Sequence, residues 1–279
     1  MDENTARLKK ENLLRYLKGL DSLLVAFSGG VDSTFLLALA HETLGDKVLA
    51  VTESSSTYPS MERQEAIRFA KERGIAHEVF QSDETSIPEF VSNAPDRCYH
   101  CKKALSQELV KIARERGIEH VAYATNVDDL ADYRPGLRAA DEMGIIAPLV
   151  VAALNKEEIR FLSREMGLPT WDKPAMACLA SRIPYGEAIT DKKLKMVEEA
   201  EAYLAKSGFK QYRVRHHGSV ARIEVESAEI HKINEPALRK NIAEKFKEIG
   251  FLHVALDLEG YTTGSMNRAL TKINRPQTD

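Results

Sequence analysis

Cysteine is scarce in this chain, with three residues in 279. So small and odd a number excludes a disulfide framework, and the cysteines are read as thiols with another use. Long apolar runs are missing too. The longest, Ile145 to Leu154, is about half of the roughly 20 residues that cross a bilayer, and Pro148 interrupts it; no membrane association is expected. Nor is there an excess of one charge sign: 39 Lys and Arg stand against 42 Asp and Glu, a formal charge of −3. General polyanion binders are strongly basic, so a small substrate is expected rather than nucleic acid. Residues Met1 to Lys18 lack the apolar core and cleavage site of a secretory leader, and a cytoplasmic location is the expectation. Neither G-x-x-x-x-G-K-S/T nor G-x-G-x-x-G occurs, which sets aside Walker-type kinases and dinucleotide oxidoreductases. There is no internal repeat or low-complexity tract, and the length suggests about two domains.

What is present has a clear order. The first half alternates short apolar runs with helical patterns, the mark of a parallel sheet covered by helices. Leu23–Phe27, Lys47–Thr52, His77–Gln81, Val121–Thr125 and Ile145–Leu149 are predicted as strands, and Asp32–Thr43, Pro59–Arg73, Tyr99–Arg116 and Asn155–Met166 as helices. Asn155 with Glu158 three residues on is a variant of the capping box. Leu168–Gly186 then holds three prolines and no period, so it reads as a long functional loop. Beyond it, a helix capped by Thr190, strands at Gln211–Arg215 and Ser219–Val225, a helix at Pro236–Ile249 and a strand at His253–Leu258 predict a smaller α+β unit. Asn267–Asp279 is expected to fray. The predicted fold class is α/β, a Rossmann-like parallel sheet over residues 1–170, a cysteine-bearing loop over 171–189, and an α+β substrate or oligomerisation domain over 190–279.

Ser28-Gly29-Gly30-Val31-Asp32-Ser33 follows the first strand directly and opens a helix. That geometry aims backbone N–H groups and the positive helix end at an anion, and the glycines permit the tight turn. Ser28 and Ser33 add hydroxyl donors, while Asp32 makes sense as a magnesium ligand bridging to phosphate. The plain alternative is a turn that merely joins strand to helix. The hexapeptide resembles the pyrophosphate loop of the ATP pyrophosphatases, or PP-loop enzymes, which include GMP synthetase, NAD synthetase and several tRNA thiolases. The resemblance implies cleavage of ATP to AMP and pyrophosphate. Ligands of open α/β sheets sit at the carboxyl ends of strands, which adds Ala26, Thr52 and Asn126 as candidate nucleotide contacts. Asn126 with Asp128 and Asp129 is equally read as a helix cap with an acidic first turn.

Cys98-Tyr99-His100-Cys101 stands at the start of a predicted helix, where the dipole favours thiolate. The third cysteine, Cys178, lies in the proline-rich loop near Lys173 and Arg182; the alternative for it is a small buried hydrophobe. The combination of Ser28–Ser33, Ala124–Gly136, the Pro174–Gly186 loop and Gly260-Tyr261-Thr262-Thr263-Gly264-Ser265-Met266-Asn267 resembles the LarE family of ATP-dependent sulfur transferases. That resemblance spans both domains. It implies that ATP adenylates a carboxylate of a small pyridinium mononucleotide, pyridinium-3,5-biscarboxylic acid mononucleotide, and that sulfur displaces AMP to leave a thiocarboxylate, a step toward a nickel-pincer cofactor. It also implies Cys178 as the sulfur position. In members with that cysteine alone, the protein's own sulfur is given up and dehydroalanine remains.

This chain departs from that pattern through Cys98 and Cys101. Three thiolates suit a 4Fe-4S cluster whose fourth iron carries an exogenous sulfide, with sulfide or another sulfur donor as a partner; sacrificial Cys178, a zinc site and a structural C-x-x-C remain open. Arg213 and Arg215, two apart on one strand, project from one face and offer forked donors to phosphate. The resemblance implies that they hold the substrate phosphate, with Ser181 and Arg182 from the loop, and Glu224 orienting one arginine. The alternative is a charged edge strand. Family members are expected to form homo-oligomers. A tRNA thiolase lacks its basic face here, an amide-forming ligase leaves Cys178 unexplained, and a nucleotide sensor without turnover is the third competitor.

Overall fold

The computed structural model describes residues 1–131, 135–175, 177–262 and 264–265. Asp132, Tyr133, Arg134, Met176, Thr263, Met266 and Asn267 of the family-like stretches lie outside the described residues, as does the rest of Asn267–Asp279. The chain divides into two units, one of Met1–Asp83 with Cys98–Met176, the other of Glu84–Arg97 with Ala177–Asp279.

The first unit is built on a parallel sheet of β1 (Leu23–Ala26), β2 (Val48–Ser54), β3 (Ala76–Gln81) and β4 (His120–Ala122), in the order β3-β2-β1-β4. Strands covered on both faces must be apolar on both. Accordingly Leu23 and Val25 join a core with Leu13, Leu17, Phe35, Leu39, Ile159 and Leu162, while Leu24 joins Leu49, Val51, Leu109 and Val121. The first cluster is supplied by helices Glu3–Lys18, Val31–Leu44 and Lys156–Glu165, and the second by helix Arg97–Glu115. The order of strands reverses at β1, so the loops after β1 and β4 lie at the switch point where open α/β sheets take ligands.

One expectation is corrected, and one element is added. Ile145–Leu149 is not a strand; Ile146 makes one parallel bridge to Ala122, and Pro148 opens the short helix Pro148–Val151. Proline has no N–H for a ladder and suits the first helical position. The charge-rich N-terminus, given no element from sequence, is the helix Glu3–Lys18, capped by Asp2 and buried through Ala6, Leu13 and Leu17. Its apolar stripe is thin enough to be hidden by its charges. No helix among the described residues is long and apolar enough to cross a membrane.

The second unit carries β5 (Tyr212–His217), β6 (Val220–Val225) and β7 (His253–Leu256), ordered β5-β6-β7. β5 and β6 form an antiparallel hairpin, and β7 runs parallel to β6. Helices Asp191–Lys206 and Pro236–Ile249 cover it, enclosing Leu204, Val214, Ile223, Phe246 and Phe251. Asn93, buried and at φ 56°, donates from Nδ2 to the carbonyls of Ile183, Pro184 and Glu187. That one amide fixes the path of the chain downstream of Cys178.

The Asn155 side chain accepts from Glu158 N at 2.9 Å and Glu158 returns to Asn155 N at 2.9 Å, so the capping box is complete. Asn155→Ala is expected to cost about 1 kcal/mol, read as a lower denaturation midpoint in urea with an unchanged slope.

Candidate nucleotide site and cysteine segment

The loop after β1 turns through Gly29, whose φ of 64° favours glycine and where a Cβ would stand 3.1 Å from Ala66 Cβ. Helix Val31–Leu44 starts at once, with Gly30 at its cap and no side-chain cap bond. Among the described residues, the amides of Gly29, Gly30, Val31, Asp32 and Ser33 donate to nothing. Five successive unspent N–H groups at a helix N-terminus make a cradle for an oxyanion. The Ser28 and Ser33 hydroxyls lie 3.0 Å apart, and Ser28 is exposed. Asp32 receives the Lys156 ammonium on Oδ2, while its Oδ1 is buried with no hydrogen-bond partner. An orphaned carboxylate oxygen beside a phosphate cradle fits magnesium, which takes one or two carboxylates together with phosphate oxygens.

The ends of the other strands are less open. Thr52 is buried, and its hydroxyl donates to Phe27 O at 2.7 Å and meets His77 Nε2 at 2.8 Å. Burial pushes the His77 imidazole below its ordinary value, which suits a neutral ring donating to Thr52. The Thr52 hydroxyl is thus spent on the fold. Asn126 Oδ1 accepts from Asp128 N at 2.9 Å, and Asp129 Oδ2 accepts from Asn126 N at 3.0 Å. The capping reading therefore describes this loop. Ala26 ends β1 and packs with the Leu24 side of the core.

Cys98 and Cys101 stand in the first turn of helix Arg97–Glu115, exposed and half-buried respectively, three apart and so on one helix face. They belong to the first unit and exposed Cys178 to the second. Among the described residues no group of three His, Cys, Asp or Glu side chains stands together as a metal site requires. The 4Fe-4S ligand set expected of Cys98, Cys101 and Cys178 draws on both units. Lys173, read from sequence as a charge near Cys178, is instead held by Glu62 and Glu65 at 2.7 Å each.

In the second unit the cysteine segment is tied to the arginine strand. Arg182 is fully buried and closes on both oxygens of Glu201, at 2.8 and 2.9 Å. Its Nη1 donates to the carbonyls of Ala177 at 2.7 Å and Cys178 at 3.0 Å, and to Ser181 Oγ at 2.8 Å. Its forked donors are thereby committed to holding the segment, a correction to its expected role in contacting substrate. Arg215 closes on Glu224 at 2.9 and 2.7 Å, donates to Ser181 O at 3.0 Å, and reaches Ser265 Oγ at 3.1 Å. Arg213 donates to Tyr212 O and lies under the Tyr261 ring, 5.1 Å from its centroid. Burial, with the Arg182 charge beside it, pulls the Arg213 guanidinium down to about 10. An anion there would offset both causes.

Glu201, Tyr261 and Ser265 were not singled out as individual contacts by sequence reasoning. Gly260 could have drawn attention to its neighbour: its φ is 73°, and a Cβ would meet Val225 O at 2.7 Å. Tyr261 N then donates to Val225 O at 2.7 Å, which seats the ring on Arg213.

Removing Arg182 would leave Glu201 buried without its cation. Arg182→Met is expected to cost about 3–5 kcal/mol, measured by chemical denaturation, and Arg182→Met with Glu201→Leu to recover much of it.

Comparison with known proteins fits this geometry. The NAD synthase family model matches residues 9–131, which include the cradle and the loop after β4. An uncharacterized protein of Synechocystis is 43% identical over 264 residues, 95% of this chain and 98% of that protein. An uncharacterized protein of Methanocaldococcus jannaschii is 31% identical over 90% of this chain and 95% of its own. The pyridinium-3,5-bisthiocarboxylic acid mononucleotide synthase of Lactiplantibacillus plantarum is 37% identical over 269 residues, 96% of this chain and 97% of that enzyme. With a PP-loop cradle in one unit, an arginine-bound cysteine segment in the other, and this identity across both, the chain is an ATP-using enzyme and belongs to the LarE family.

Proposed function

We propose that this chain uses MgATP to adenylate a carboxylate of a pyridinium dicarboxylate mononucleotide and then transfers the Cys178 sulfur to it. The observation that carries this reading is the bonding of Arg182, which holds the Ala177 and Cys178 carbonyls in the same buried group as Arg213 and Arg215. A reactive sulfur and a phosphate-binding pair are what transfer to a mononucleotide requires.

A carboxylate resists a nucleophile until one oxygen becomes part of a good leaving group. The Gly29–Ser33 amides would receive the departing pyrophosphate, with Asp32 Oδ1 as the protein oxygen on magnesium, which neutralises charge developing on the leaving oxygens. Arg213, with Arg215 beside it, would hold the substrate phosphate; Ser181 adds its hydroxyl, and Glu224 keeps Arg215 in place. The Cys178 thiolate attacks the acyl carbon, a C–S bond forms, and AMP leaves with the electron pair of the broken C–O bond. Loss of the Cys178 Cα proton and cleavage of its Cβ–S bond then release the thiocarboxylate and leave dehydroalanine.

Cys178→Ala is expected to keep substrate-dependent release of pyrophosphate and to accumulate the acyl-adenylate, while forming no thiocarboxylate, measured by coupled assay and mass spectrometry. AMP release without the pyridinium substrate, or thiocarboxylate from Cys178→Ala, would contradict the assignment. Substrate affinity should fall as the pH rises through about 10, since only protonated Arg213 attracts phosphate. Arg213→Met should raise KM for the mononucleotide about ten-fold and abolish that pH dependence.

A further inference from the structure

We infer that Tyr58 and Lys173 are positioning residues of the phosphate cradle, each holding one peptide carbonyl of the Ser28-Gly29-Gly30 turn from behind. This inference rests on the ATP reading above and goes beyond it, because neither residue belongs to the hexapeptide.

The Tyr58 hydroxyl donates to Ser28 O, and the Lys173 ammonium donates to Gly29 O at 3.1 Å. In a planar trans peptide, the carbonyl and the following N–H point in opposite directions. A side chain that fixes the Ser28 carbonyl therefore aims the Gly29 N–H the other way, and one that fixes the Gly29 carbonyl does the same for the Gly30 N–H. These are the first two of the five unspent amides, and glycine is the residue whose peptide planes turn most easily. Left untethered, two consecutive glycine amides would sample orientations that a bound anion must then pay to restrict.

The charges show that Lys173 acts through direction. Its side chain is 14% exposed, and its ammonium sits against two carboxylates, Glu62 and Glu65, at 2.7 Å each. Two negative charges against one positive leave nothing over to attract a phosphate, whereas they hold the ammonium where it meets the Gly29 carbonyl. Burial and the nearby Glu62 raise the Tyr58 phenol above its ordinary value, so it stays a donor throughout the working pH range. Lys173 also roots the chain that leads to Cys178: its own carbonyl and that of Trp171 each accept from Arg160 at 2.7 Å.

The test is calorimetric binding of MgATP to the full chain. Lys173→Met and Tyr58→Phe should each weaken Kd about ten-fold with the number of sites unchanged, and the double variant about a hundred-fold, since each fixes a different peptide. Lys173→Arg, which keeps a cationic donor, should recover most of the loss. A residue needed only for stability would lower the number of competent sites and leave Kd alone; that result, or unchanged Kd in both single variants, overturns the inference. Should Lys173→Met not fold, Tyr58→Phe carries the same test through one hydroxyl. Failure of the unaltered chain to bind MgATP would overturn the ATP reading, and the positioning role with it.

Discussion

Five consecutive backbone amides without a partner are the constraint on which the chemistry of the first unit depends. A fold that leaves N–H groups unsatisfied gives up stability, and it does so at the switch point of the sheet, where strand order reverses between β2 and β4 around β1. Gly29 lets the chain leave β1 and enter helix Val31–Leu44 without intervening residues that would spend those amides. The Leu23–Ala26 strand and the apolar helix behind it, buried from Ser33 to Ala40, make the platform rigid. The Asp32 carboxylate, with one oxygen on Lys156 and one unspent, adds an acidic group of the kind that a polyphosphate and its cation need there.

The second unit solves a different problem, that of keeping cationic groups charged while they are buried. Buried guanidiniums are tolerable only when bonded, and here Glu201 and Glu224 each close one fork. Arg182 spends its pairing on architecture: it joins the cysteine segment to helix Asp191–Lys206, while Glu201 also accepts from Val214 N on β5 at 2.9 Å. Arg213 is left as the group whose charged state is most weakened by its surroundings, and so the one that gains most from an arriving anion.

How much of this was legible in the sequence depended on distance along the chain. The Ser28–Ser33 loop, the Asn155 capping box and the Arg213, Arg215 pair are local patterns, and local geometry follows from them. Glu201 as the partner of Arg182, or Tyr261 over Arg213, joins residues that are far apart in sequence, and no periodicity announces such pairs. The family resemblance implied Arg182 as a substrate contact, whereas its fully buried guanidinium, with its fork closed on Glu201, holds the loop itself. Asn126 and Thr52 stand where a ligand contact is expected, but short polar side chains at strand ends also satisfy nearby backbone groups, and those bonds are the ones made. The apolar stretch Ile145–Leu149 read as a strand because its composition permits it, and Pro148 decided otherwise.

The proposed reaction turns on what becomes of the Cys178 sulfur. Intact mass of the full chain, taken after turnover with MgATP and the pyridinium dicarboxylate mononucleotide following anaerobic purification, reads this directly, with iron and acid-labile sulfide measured on the same sample. Transfer from Cys178 predicts a chain lighter by one hydrogen sulfide, one thiocarboxylate formed per chain, and no stoichiometric iron. An unchanged mass with repeated turnover, and iron and labile sulfide in cluster proportions, would contradict it and assign the sulfur to a cluster carried by Cys98, Cys101 and Cys178 together.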